Sequence, residues 1–311
     1  MFTGTQSNGS FATSVDPSPK EVGFVTANVS NRALLQMEGS ESTDLLQRIS
    51  TNDVSKAAVG AWVDTILTSE KGRIIDVISV HVASPEKLLL ACQSKSPAQV
   101  RNWIEKFIIM ESIRVTDVTS QFDHFLILPT PEALAERKDI KSFKPNGLLS
   151  TKAITFEQTW GEIMTFHVLV EKRAGTTESG YISEDEFETL RIRLGIPSNP
   201  NELSPAYNPL EANLHDKVNF TKGCYVGQEV IARLDTYKKL QRKLVRLEIQ
   251  APIGNAPRQI CCGSEEVGTL TSAAEVGNSK SIALGYVKLH SIGQDLHLNL
   301  GTAQVAVSIL Q

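Results

Sequence analysis

Lys222-Gly223-Cys224-Tyr225-Val226-Gly227-Gln228-Glu229 sits in a polar segment, Asn208 to Asp235, that offers few apolar anchors. Gly223 and Gly227 bracket the cysteine, which allows a tight backbone path that few other residues tolerate. Beyond it, Val226 to Leu234 reads as a helix with Val230, Ile231 and Leu234 on one side. Cys224 then lies just before a helix start and two residues from Lys222. A helix N-terminus and a nearby ammonium both favour thiolate over thiol. Local chemistry leaves two readings open: a reactive sulfur, or the small buried hydrophobe that free cysteines usually are.

Working upstream, Leu210, Leu214 and Val218 recur every four residues, so a short helix is expected there. Glu211 on it is either a solvated helix position or a carboxylate able to accept two hydrogen bonds from a guanidine-like ligand edge. His215 beside Asp216 is no base–orienter pair, because helix neighbours do not face each other. Farther back, Ala61–Thr68 and Arg73–Val82 read as strands joined by the hairpin loop Ser69-Glu70-Lys71-Gly72. Strand alternation puts Asp76 on the face of Ile74, Ile78, Val80 and Val82. A carboxylate there is costly unless paired. It is either an edge position reaching water or an amide, or an acid aimed into a pocket.

Around this hairpin, Ser40–Ile49 reads as a helix, Thr51-Asn52-Asp53 as a turn and Lys87–Cys92 as a further strand. Ser96 and Pro97 open a helix whose Val100, Trp103, Ile104, Phe107 and Ile108 face the core. Trp103 and Cys92 are therefore structural. Strands near Ile113–Val118 and Phe125–Leu128 complete a mixed α+β unit. Pro129–Leu149 is polar and rich in Lys and Pro, and loops between lobes; a strand follows over Ile163–Val170. Ser183 and Glu186 form a capping box for a helix that ends at Leu194, before Gly195 and Pro197. From Gln241 onward short alternating runs (Val245–Ile249, Val267–Thr271, Ile282–Val287, Leu296–Leu300, Val305–Ile309) indicate a small β-barrel or sandwich. The expected division is a disordered tail over 1–21, lobes over 22–130 and 131–236 that are free to interleave, and a barrel over 237–311.

At 311 residues the chain is too long for one ordinary core. A net charge of -4 gives no basic footprint for nucleic acid or an anionic membrane. No apolar run approaches ~20 residues. The four cysteines (Cys92, Cys224, Cys261, Cys262) show no C-x-x-C spacing, which argues against a zinc site. Nor do they form a four-cysteine cradle, so no metal is held by this chain alone. Cys261 and Cys262 are read as structural. Their sparse placement suits a reducing compartment. Met1–Pro19 has neither the apolar core of a secretory signal nor the Arg of a mitochondrial presequence, so a disordered tail is expected, with a remnant of a processed targeting segment as the alternative.

The octapeptide resembles the K-G-C-[YF]-x-G-Q-E signature of YgfZ-type proteins, folate-binding relatives of the glycine-cleavage T-protein that act in assembly or repair of iron–sulfur proteins. Pro209-Leu210-Glu211-Ala212, Arg233-Leu-Asp-Thr-Tyr237, Gln241-Arg-Lys-Leu244, Thr51-Asn52-Asp53-Val54 and Lys71-Gly72-Arg73-Ile74-Ile75-Asp76 fall where this superfamily has related motifs. The resemblance implies three α+β and β domains around a central hole that holds tetrahydrofolate, the last domain being the C-terminal β-barrel. It implies Asp76 and Glu211 as pterin-binding acids and Arg233, Tyr225 and Gln228 as folate contacts. Cys224 would be the functional thiol, with Lys222 beside it, possible as a shared ligand to a transient iron–sulfur cluster. Partners would be an A-type iron–sulfur carrier or client iron–sulfur proteins, the chain itself being a monomer. The compartment would be bacterial cytoplasm, mitochondrial matrix or plastid stroma. Two departures from the T-protein stand out: Asp76 is followed by Val77 rather than a second acid, and Cys224 has no counterpart there. Both weigh against the alternative reading, a folate-dependent aminomethyltransferase. A non-catalytic scaffold is the third.

Overall fold

A computed structural model describes residues 23–136, 153–172, 181–254, 258–277 and 279–310. The tail expected over 1–21 and most of the loop expected over Pro129–Leu149 lie outside them.

The chain opens with β1 (Phe24–Asn28) and β2 (Leu34–Glu38), followed by α1 (Ser42–Ile49), β3 (Trp62–Thr68), β4 (Ile74–Ser84), β5 (Lys87–Cys92), α2 (Pro97–Glu105) and β6 (Arg114–Asp117). β2 to β6 form one antiparallel sheet in the order β3-β4-β5-β2-β6. Its two faces are both covered, which is why Leu88-Leu89-Leu90-Ala91-Cys92 is an unbroken apolar run. Leu88, Leu90 and Cys92 meet Leu45, Leu46 and Ile49 of α1 and Val100 and Ile104 of α2. Leu89 and Ala91 point the other way, against Phe156 and Leu169. Burying Leu45 or Leu46 completely contributes roughly 1.5–3 kcal/mol each. Ser96 caps α2 by accepting from the Gln99 amide, with Pro97 at its first position.

β7 (Phe122–Pro129), α3 (Pro131–Ala135), β8 (Ile154–Trp160) and β9 (Ile163–Glu171) come next. The second sheet runs β1-β7-β9-β8, with Phe24 paired to Pro129 and Asn28 to Phe125. Every strand of the first sheet thus lies, in sequence, between two neighbours of the second. The first unit is an insertion, and the strand at 122–129 pairs with β9 rather than with the unit that precedes it.

α4 (Glu184–Leu194) begins at the Ser183–Glu186 capping box and stops at Gly195, left-handed at φ 77. α5 (Gln228–Thr236) follows a long irregular segment. The remaining strands, β10 (Arg242–Ile249), β11 (Arg258–Cys262), β12 (Glu265–Val276), β13 (Lys280–Lys288), β14 (Leu296–Leu300) and β15 (Ala303–Leu310), close a barrel in the order β10-β13-β12-β11-β14-β15. Closure leaves no strand edge exposed. The barrel is pinned to α4 by a buried joint in which Arg191 bonds Glu202 at 3.2 Å and Ser272 at 2.8 Å. The Tyr286 hydroxyl donates to the Glu202 carbonyl at 2.9 Å.

Three expectations need correction. The helix expected over Leu210–Val218 is a series of turns with a 3-10 turn at His215–Lys217, because Asn213 adopts the left-handed region at φ 61. Leu210, Leu214 and Val218 are buried all the same. The helix expected over Val226–Leu234 starts later, at Gln228. Phe107 and Ile108 lie beyond the end of α2, packed against its core from the turn that follows.

Candidate functional site

The octapeptide is a strap laid across the inserted unit. Lys222 is buried and its ammonium donates to the carbonyls of Gln47 at 2.8 Å, Ser50 at 2.9 Å and Asn52 at 2.7 Å. These sit at and just past the end of α1, where helical carbonyls lack partners and a cation is favoured. Burial lowers the Lys222 pKa to about 8, an effect that Asp53 opposes. Val226 then donates to the Arg48 carbonyl at 3.0 Å, and its own carbonyl accepts from Thr68 Oγ1 at 2.6 Å. Gly227, at φ 85, caps α5; a Cβ there would stand 2.5 Å from the Ser69 carbonyl oxygen of the β3–β4 hairpin. Only glycine fits. Gly223 is different, since a Cβ there would meet nothing within 4 Å.

Cys224 is exposed at the crest of this strap. The ammonium expected beside it is turned to the carbonyls of α1, and Gly227 separates it from the first turn of α5. Tyr225 is buried, with its hydroxyl unpartnered among the described residues and its ring 5.3 Å from Lys222 Nζ. Gln228 is the first residue of α5, and Arg233 is exposed and paired with Glu229 at 3.0 Å. Cys92 is fully buried in the first sheet, while Cys261 and Cys262 lie on β11, partly buried.

A separate cavity of about 410 Å³ opens where the two sheets, α4 and the loop Ser198–Asn201 converge. Arg32, Gln93, Lys95, Glu184, Glu188 and Asn199 supply its polar walls. Asp76 is outside its lining and bonds to the wall through Asn199. It is 0% exposed on an interior strand, so it is no edge position reaching water, while the backbone amide that reading allowed is present. Its carboxylate accepts from the Ser94 amide at 3.1 Å and from Asn199 Nδ2 at 3.4 Å. Burial pushes its pKa up to about 7, against the pull of the Ser94, Val77 and Gln93 amides and the Arg32 charge. At neutral pH it sits near its titration midpoint, the condition suited to exchanging a proton.

Gln93 is oriented by a chain of polar contacts. Lys217 Nζ donates to Asp64 Oδ2 at 3.1 Å. The other Asp64 oxygen accepts from Ser79 Oγ and, at 3.4 Å, from Gln158 Nε2, which also donates to Ser79 at 2.9 Å. A carboxylate cannot donate, so Gln158 must turn its amide nitrogen this way and its oxygen towards Gln93. Gln93 Nε2 donates to that oxygen at 2.9 Å. The free acceptor of Gln93, a cavity residue, is therefore Oε1. Close by, His124 Nε2 meets His167 Nδ1 at 2.9 Å in a fully buried pair. Burial, then the Arg32 charge, lowers His124 to about 3, and His167 is driven well below the ordinary range, chiefly by burial.

Glu211 is not in the cavity wall. Its carboxylate accepts from Arg242 Nε at 3.0 Å and the Asn208 amide at 3.0 Å, and Arg73 approaches to 3.5 Å. It ties the β3–β4 hairpin and β10 to the strap segment, and the structure does not bring it together with Asp76. Arg32, Gln93, Gln158, Asp64 and Lys217 escaped the sequence reading. One signal was present: Arg32 is a charge directly ahead of the apolar run Ala33-Leu34-Leu35. Among the described residues no group of three or more His, Cys, Asp or Glu side chains could hold a metal ion, and no helix is long and apolar enough to cross a membrane.

Residues 20–137 match the GCVT N-terminal domain family. The chain is 25% identical to an Arabidopsis thaliana protein called "Putative transferase At1g60990, chloroplastic", over 86% of this chain and 66% of that one. It is also 25% identical to an aminomethyltransferase of Listeria monocytogenes, over 91% of this chain and 84% of the relative. The crystal structure of the glycine cleavage system aminomethyltransferase T from Bartonella henselae superposes with a TM-score of 0.73 at 17% identity, covering 93% of this chain and 86% of that one. The chain therefore has a T-protein-like fold, and its relatives at low identity include aminomethyltransferases.

Proposed function

We propose that the chain is a tetrahydrofolate-binding accessory factor in assembly or repair of iron–sulfur proteins, especially [4Fe–4S] proteins, with Cys224 as its working thiol. The observation that carries this reading is the contrast within the strap. Lys222, Tyr225, Val226 and Gly227 are all committed to the body of the protein, while Cys224 stands exposed beside a glycine whose missing side chain keeps the approach open. A strap anchored at three places holds a surface thiol at a fixed position, and nothing in the packing needs that thiol. The cavity supports the folate half. Its volume falls in the range of small-molecule sites, the Gln93 oxygen suits an amine or ring N–H, and Asp76, bonded to the wall through Asn199, can hold or release a proton.

One thiolate cannot hold a cluster, so the partner supplies the remaining ligands. Anaerobic reconstitution with an A-type carrier tests this: the wild type retains transferred cluster and Cys224→Ala does not. Equal retention by both removes Cys224 from the mechanism. The names of the relatives favour a second reading, transfer of an aminomethyl carbon to tetrahydrofolate. Turnover of an aminomethyl-lipoyl donor that survives Cys224→Ala would establish it over the first. Absence of tetrahydrofolate binding at roughly 1 mM leaves only a scaffold.

A further inference from the structure

Arg32 is a cavity cation with no carboxylate at ion-pair distance among the described residues, although Asp76 and Glu188 act on it through space. Its side chain is 7% exposed, yet among the described residues no hydrogen bond or ion pair reaches its guanidinium. The Phe187 ring lies 5.9 Å from its central carbon, a cation–π contact that leaves the N–H donors in the plane of the guanidinium unmet. The guanidinium opens into the cavity, to which it offers N–H donors in a fixed fork. The neighbouring charges have closer partners of their own. Lys95 pairs with Glu184 at 3.2 Å, Glu188 pairs with Arg191 at 2.6 Å, and Asp76 is held by backbone amides and Asn199.

We infer that Arg32 is the anion-binding residue of this cavity, and that its guanidinium takes a carboxylate of the bound ligand. No net positive charge is left on this wall, because Arg191 is shared by Glu188 and Glu202 and Asp76 also acts on Arg32. That balance disfavours a multiply charged phosphate. The fork geometry matches a carboxylate with two parallel hydrogen bonds. The ligand thus meets a cation at Arg32 and an acceptor at Gln93 Oε1, which fixes its direction in the cavity. The inference rests on the cavity being the ligand site. On the folate reading the carboxylate belongs to the glutamyl end.

Ligand-free protein gives the first test. A structural arginine stabilises, whereas an arginine kept for an absent anion does not. Arg32→Met is expected to raise the thermal midpoint of the unliganded protein by a few degrees; a lower midpoint overturns the inference. Calorimetric titration gives the second, with tetrahydrofolate, 6-methyltetrahydropterin (the ring without a carboxylate) and 4-aminobenzoylglutamate (the carboxylates without the ring). Arg32→Met is expected to weaken tetrahydrofolate about 100-fold, to abolish 4-aminobenzoylglutamate binding and to leave 6-methyltetrahydropterin unchanged. Arg32→Gln, which keeps polarity without charge, repeats the test should the methionine variant not fold. Equal losses for ring and carboxylate probes, or no loss for any, overturn the inference. Binding of 4-aminobenzoylglutamate through Arg32 without tetrahydrofolate binding refutes the folate reading and upholds the anion site. Binding of none of the three by the wild type refutes both.

Discussion

Replacing Asp76 by Asn should change how stability depends on pH, in a direction the structure fixes. The folded protein holds the Asp76 proton up to about pH 7, against 3.8 for a free side chain. Between those values the folded state binds more protons than the unfolded one, so the residue costs stability as pH rises. From about pH 5 to about pH 7.5 that cost grows by about 2–3 kcal/mol. His124 and His167 act oppositely. Their folded pKa values are lowered, so below about 6.5 the unfolded state takes up protons that the buried pair refuses. At about pH 5, His124 alone removes about 2 kcal/mol, and His167 adds to it. In the wild type the two trends oppose each other, and the profile is shallower than the histidines alone would make it. In Asp76→Asn only the histidines remain, and stability climbs with pH. Urea unfolding followed by tryptophan fluorescence at the two pH values measures this. The quantity to read is the difference between variant and wild type, since hydrogen bonds lost to Asn shift both values equally. A gap that widens by about 2–3 kcal/mol towards neutral pH is expected. A gap constant to within about 0.5 kcal/mol would refute the buried, near-neutral Asp76.

Gly227→Ala forces a Cβ to within 2.5 Å of the Ser69 carbonyl at a left-handed φ, and should cost about 2–4 kcal/mol in urea unfolding while loosening the strap. Lys222→Met leaves the carbonyls of Gln47, Ser50 and Asn52 without their donor, and about 2–4 kcal/mol should be lost, seen as faster amide exchange at the end of α1. Cys224→Ala should leave stability within about 0.5 kcal/mol of wild type, because the residue is exposed; a larger loss would mean that the thiol is structural.

What could be read from the sequence was local. The Ser96–Pro97 and Ser183–Glu186 helix starts, the β3–β4 hairpin and most barrel strands carry their signals within a few residues. β1, β2 and β11 are five residues each and β8 mixes Glu157 and Gln158 into its apolar run, so they went unread even though Gly39, Gly161 and Gly263 directly follow β2, β8 and β11. The spacing of Leu210, Leu214 and Val218 reported burial correctly but not helix, since Asn213 reverses the backbone. The nesting of one sheet inside another could not be seen, because the pairing of Phe24 with Pro129 spans the inserted unit. The site divided in the same way. The exposed cysteine and the buried Asp76 sit in legible motifs, whereas Arg32 and Gln93 acquire their roles only from side chains on other elements.

The nesting also dictates an order of events in folding. Before β1 can meet β7, on the order of 90 intervening residues must be closed into a loop, an entropic cost of about 4 kcal/mol if they are still unstructured. β2 and β6 are direct neighbours, with Leu35 opposite Asp117, so once the inserted unit is folded its entry and exit are already side by side. The long loop then shrinks to the few residues flanking that pair. The inserted unit is the template on which the host sheet closes, and pulse-labelled hydrogen exchange during refolding should protect β5 before β7.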